Sequence, residues 1–84
     1  MIMDKRKSIQ SANYLLAKVQ GKDEFMIVEK INQESVAAYI IKSKRNPNKW
    51  QLKIDYFKLA QYEQNEWEDR EREMYEIFEE FNKN

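Results

Sequence analysis

Glu66, Asp69, Glu73, Glu76 and Glu80 recur at intervals of 3, 4, 3 and 4 residues near the end of this 84-residue chain. On a helix, that spacing aligns the carboxylates along one face at a mean separation of about 5 Å, given a rise of about 1.5 Å per residue. Such a row can occupy the lysines and arginines of a nucleic-acid-binding groove, because those side chains accept any anion of suitable spacing. The same residues also fit an ordinary solvated face. Glu66 with Arg70 and Glu68 with Arg72 form i,i+4 pairs in the favourable order, worth about 0.3–0.5 kcal/mol each. Against that, Asp69/Glu73, Glu73/Glu76 and Glu76/Glu80 are like-charge neighbours, and each costs a comparable amount. A face shaped for stability alone would alternate signs there. Tyr62 and Tyr75 lie off the apolar seam of the same region and are expected to supply apolar anchors, since a large rigid ring costs little entropy to immobilise at an interface.

A second constellation has the opposite sign. Lys42, Lys44, Arg45, Lys49 and Lys53 cluster around Asn46-Pro47-Asn48, with Lys5, Arg6 and Lys7 near the start. A protruding basic ribbon can touch phosphates, and Tyr39 or Trp50 offers a stacking surface. Lysines also guard a sheet edge against pairing with other chains, and Trp50 alternates with Leu52 and Ile54 as a core residue would.

Other chemistry is thinly represented. The chain has no cysteine and no histidine, which removes disulfides, thiolate metal sites, the usual general base and the commonest zinc ligand. The single glycine is too few for a calcium loop of EF-hand spacing. No phosphate-binding loop, dinucleotide fingerprint or catalytic triad appears, so neither catalysis nor a metal or cofactor is expected. MIMDKRKSIQ lacks the apolar stretch of a signal peptide. The longest apolar run is Val36 to Ile41, far short of a membrane span. A cytoplasmic location without membrane contact is the expectation.

The net charge of zero hides a polarity. Residues 1–54 hold eleven Lys/Arg and five Asp/Glu, 11 − 5 = +6, whereas residues 55–84 hold four and ten, 4 − 10 = −6. The acidic closing third repels phosphate, which argues against direct nucleic-acid binding by the chain as a whole. Oppositely charged ends also permit pairing between copies, so a homodimer is possible.

These residues need elements to position them, and the length fits a single domain spanning residues 1–84. Ile9, Ala12, Leu16 and Val19 recur at three and four residues with Gly21 after them, which favours a helix. The rival reading takes NYLLAKVQ as a strand. EFMIVEKI (24–31) and VAAYIIKSK (36–44) read as strands with Asn32–Ser35 between them, and WQLKI (50–54) alternates as a third. Phe57, Ala60, Gln64, Trp67, Glu71, Met74, Phe78 and Phe81 then step by 3 and 4 as a helical seam. Asn65 is placed to cap a new helix there, with Glu68 completing a capping box. The expected fold is α+β in the order αβββα. A three-stranded antiparallel sheet is packed by an N-terminal helix and a long or broken C-terminal acidic helix.

That order resembles double-stranded-RNA-binding domains, but those bind through a lysine-rich start to the last helix. Here the region reads DYFKLAQYEQNEWEDRE, so the function does not follow. Glu66-Trp67-Glu68-Asp69 and the acidic, aromatic-bearing stretch after it resemble the C-terminal part of small phage anti-CRISPR proteins that inhibit the Cas9 nuclease by DNA mimicry. The pattern spans Trp50 to Phe81, while the basic first half and neutral total depart from the family's acidic character. The resemblance implies a non-enzymatic inhibitor of phage or mobile-element type. Its acidic helix would dock on a basic nucleic-acid-binding surface of Cas9 or another host nucleic-acid enzyme. The alternative is a small nucleic-acid-binding or regulatory domain using the basic hairpin 42–53.

Overall fold

The computed structural model describes residues 9–83. It is an α+β fold with an antiparallel sheet and a C-terminal helix, but the sheet has four strands in the order β1-β2-β3-β4. They are β1 (Tyr14–Lys18), β2 (Phe25–Glu29), β3 (Asn32–Lys42) and β4 (Trp50–Ile54), followed by α1 (Tyr56–Leu59) and α2 (Gln64–Lys83).

The expected N-terminal helix is replaced by β1. Tyr14 and Leu16 point into the core while Leu15 and Ala17 lie on the other face, a period of two rather than 3.6. Ala12, which a helical stripe would bury, is exposed. The competing interaction is the hairpin with β2, in which Leu16 pairs with Ile27 and Lys18 with Phe25. Gly21, at φ 78°, supplies the left-handed residue that this tight connection requires. Before β1, the chain runs antiparallel beside it, with the Leu16 N–H donating to the Ile9 carbonyl at 3.0 Å. Lys5, Arg6 and Lys7 lie outside the described residues.

The sequence also misplaces the next turn. Asn32–Ser35 belong to β3, and the chain reverses at Lys30–Ile31, where Ile31 stands 94% exposed. The register shifts between Ile27, Val28 and Glu29 accommodate the added residues as a bulge. The strand Trp50–Ile54 forms as expected. The hairpin before it closes through a turn in which the Lys49 N–H donates to the Asn46 carbonyl at 2.9 Å, with Pro47 at the second position, where its fixed φ fits.

The C-terminal helix is indeed broken, after Leu59. Asp55 caps α1 by accepting from Phe57 N and Lys58 N at 3.1 and 3.2 Å. α2 begins at Gln64, so Asn65 lies in its first turn rather than capping it.

One face of the sheet and one side of α2 enclose the core: Tyr14, Leu16, Phe25, Ile27, Ala38 and Ile40 meet Met74, Ile77 and Phe81. Phe81 is fully buried and packs edge-on against Phe25 and Trp50, with ring centroids at 4.9 and 5.0 Å. The expected seam is therefore kept only in part. Phe57 is 90% exposed, and the buried line on α2 runs through Met74, Ile77 and Phe81, with Trp67 and Phe78 half-buried beside it. Within α2 the burial is displaced from the expected line toward Ile77, with Gln64 left exposed. Its consequence falls on the carboxylates.

Candidate protein-binding face on the closing helix

The displacement of burial toward Ile77 divides the predicted acidic row. Glu73 swings toward the sheet and is half-buried. Its Oε1 accepts from Ser11 Oγ at 2.7 Å and from the Asn13 backbone N–H at 2.8 Å, and its Oε2 accepts from Asn13 Nδ2 at 2.8 Å. Burial pushes this carboxyl up, but the hydrogen bonds from Ser11 and Asn13 and the nearby Arg70 guanidinium outweigh it and hold Glu73 below the ordinary value. Glu73 is thus a clasp between α2 and the chain entering β1.

Arg70 joins the same seam. Its guanidinium lies 4.1 Å from the Tyr62 ring centroid and 5.6 Å from that of Tyr14, and Nη1 is 4.0 Å from Glu29 Oε1 on β2. Arg70 is therefore turned to the sheet rather than paired with Glu66 as expected. Burial raises the Tyr14 phenol, against the opposing pull of Arg70. Tyr62 is half-buried beneath Arg70, and its carbonyl accepts from Trp67 Nε1 at 2.9 Å. It is an internal stacking partner, not the exposed anchor the sequence suggests.

The outward side of α2 carries what remains. Glu66, Asp69, Glu76 and Glu80 are exposed, as are Glu68 and Glu79, which the 3,4 spacing left out. Arg72 sits among them and donates to Asp69 Oδ1 at 3.1 Å rather than pairing with Glu68. Aromatic rings flank this face. Tyr75 is 47% exposed, and Tyr56 and Phe57 of α1 are more so. The Tyr56 hydroxyl donates to Glu71 Oε2 at 3.0 Å, and this hydrogen bond, with a smaller contribution from burial, pushes its pKa up to about 12. The ring therefore stays neutral at any physiological pH. Phe57 reads as core when the seam is carried straight through α1, whereas the structure leaves it exposed; Tyr56, off that seam, is exposed as well.

The basic residues gather elsewhere. Lys42, Lys44, Arg45 and Lys53 line an open groove of about 680 Å³ at one end of the sheet. Lys42 also pairs with Asp23 and lies over the Trp50 ring. Lys49 is exposed in the same hairpin but does not line the groove. Lys22, from the β1–β2 turn, does. No sequence signal links it to the hairpin, since only strand pairing brings the two turns together.

Among the described residues, no three acidic side chains come together as a metal site, and no helix is long and apolar enough to cross a membrane. No known protein family, curated protein or solved structure matches the chain.

Proposed function

We propose that this protein is a small non-enzymatic inhibitor, of the kind phages and mobile elements encode. It would dock the outward face of α2 on a basic nucleic-acid-binding surface of a target protein such as Cas9. The observation that carries this reading is the exposed run of Glu68, Asp69, Glu76, Glu79 and Glu80 on α2 with Tyr75 on the same helix and Tyr56 joined to it at Glu71. Carboxylates alone describe any solvated helix. Large exposed rings along their margin add the apolar contact that an interface needs at its centre. The carboxylates would meet lysines and arginines that otherwise hold phosphates, and Tyr75 and Tyr56 would take the anchoring role first given to Tyr62 and Tyr75.

The test is reversal of sign at Glu68→Lys, Glu76→Lys and Glu79→Lys. These side chains are exposed, so the variant should fold, as circular dichroism and a melting curve would check. Like charges facing each other in a partly desolvated groove cost several kcal/mol. The variant should therefore lose inhibition in a Cas9 cleavage assay, or capture of whichever basic nucleic-acid enzyme the wild type retains. A folded variant with undiminished inhibition would leave α2 as a solvated face and end this reading.

A further inference from the structure

The outer face of the sheet carries a feature that the helix-centred reading does not use. Ala17, Met26, Tyr39 and Lys53 are successive cross-strand partners from β1 to β4, so they form one row. Side chains alternate along each strand. Tyr39 and Lys53 therefore project away from α2, opposite to Ile40, Leu52 and Ile54, which pack in the core. Tyr39 is 43% exposed and Lys53 is exposed beside it. Further along the same face, Ile41 pairs with Gln51, and both line the groove together with Lys22, Lys44, Arg45 and Lys53. The carboxylates lining the groove are Asp23, which is paired with Lys42, and Glu24.

We infer that this groove and the Tyr39 row form a binding platform for single-stranded nucleic acid. The cations would track the phosphates and the Tyr39 ring would stack on a base. The chemistry selects a single strand over a duplex. A ring standing on a sheet face can stack only on a base already free of its partner. Charge is not an objection, because the acidic side chains of α2 lie behind the opposite face and the neutral total averages two separated surfaces. The groove takes its cations from two turns about twenty residues apart in sequence, which is why the hairpin alone understates it. This inference is independent of the reading given to α2.

The experiment is fluorescence anisotropy on the whole chain with a labelled oligo-dT of about twelve nucleotides. Saturable micromolar binding is expected in low salt. Neutralising about three phosphates would weaken it roughly 20-fold between about 50 and 200 mM salt. Replacing Lys44, Arg45 and Lys53 together by alanine should lower affinity at least about tenfold and flatten the salt dependence. Tyr39→Ala should cost about tenfold with the salt dependence retained, because stacking is not ionic. All four positions are exposed, so these variants should keep the wild-type melting curve. The Glu68, Glu76 and Glu79 reversal should not weaken oligonucleotide binding, which separates failure here from failure of the α2 reading. The inference is overturned by absence of saturable binding in low salt, by Tyr39→Ala binding like wild type, or by a duplex of the same length binding as tightly as the single strand.

Discussion

The side of α2 that meets the sheet and the side that meets solvent hold charged residues in different company. Glu73 and Glu76 stand three positions apart in the same predicted row, yet their surroundings diverge. Glu73 accepts hydrogen bonds from Ser11 and Asn13, whereas Glu76 is exposed. Arg70 and Arg72 diverge in the same way. One is stacked on Tyr62 and Tyr14, and the other lies over the solvent face beside Asp69. The charge pattern is thus a poor guide to which groups can meet a partner. The phase of the buried line decides it, placing Glu73 on the sheet side of α2 and Glu76 on the solvent side.

The largest effect expected from this comparison separates two phenylalanines that the sequence placed on one seam. Phe81→Ala removes a fully buried ring from the cluster with Phe25 and Trp50 and should cost about 3–5 kcal/mol in urea denaturation. Phe57→Ala removes a ring that is 90% exposed and should change stability by no more than about 0.5 kcal/mol. Equal losses at the two positions would return Phe57 to the core.

Next in size is the clasp. Glu73→Ala removes the acceptor of three hydrogen bonds. Because the site is half-open to water, the cost should be about 1–2 kcal/mol rather than the sum for buried charged bonds. The effect also carries a pH signature. Glu73 is held below the ordinary value of 4.5 in the fold, so its contribution is fully present above the unfolded value. That contribution is lost as pH falls through the lowered, folded value. The stability gap between wild type and Glu73→Gln should therefore be flat above about pH 5 and shrink on further acidification. A gap that widened in acid would mean that the carboxyl is raised in the fold and that burial, not the clasp, governs it.

How much of this was legible in the sequence depends on how local each feature is. Trp50–Ile54 alternates without ambiguity and forms β4 at those bounds. The helix break was legible only as one of two options, with Asn65 and Glu68 suggesting a new start two residues beyond the actual one at Gln64. The first segment was not legible. Tyr14–Lys18 is apolar enough to satisfy either period, and the outcome turns on pairing with β2 across Gly21, a contact no local pattern encodes. The candidate surfaces follow the same rule. The α2 carboxylates come from one element, so the acidic row was seen, although the turn of Glu73 was not, because its partners Ser11 and Asn13 lie on the chain before β1. The groove joins Lys22 to the β3–β4 hairpin, which requires the sheet order itself.

The smallest expected effect is the most demanding for the comparison, because it asks the outward side of α2 to be indifferent. Glu79→Lys changes an exposed side chain. Reversing its sign relieves repulsion with Glu76 and gives up the favourable order with Lys83, and pairs at these spacings are worth a few tenths of a kcal/mol each. Stability should stay within about 0.5 kcal/mol of wild type, as chemical denaturation would measure. A solvated face and a binding face predict this same indifference in the isolated protein, which is why the single change must be read together with partner capture. Loss of capture at unchanged stability assigns Glu79 to the interface. A loss of stability above about 1 kcal/mol would mean that Glu79 supports the fold as Glu73 does, and that the contrast between the two sides of α2 is drawn in the wrong place.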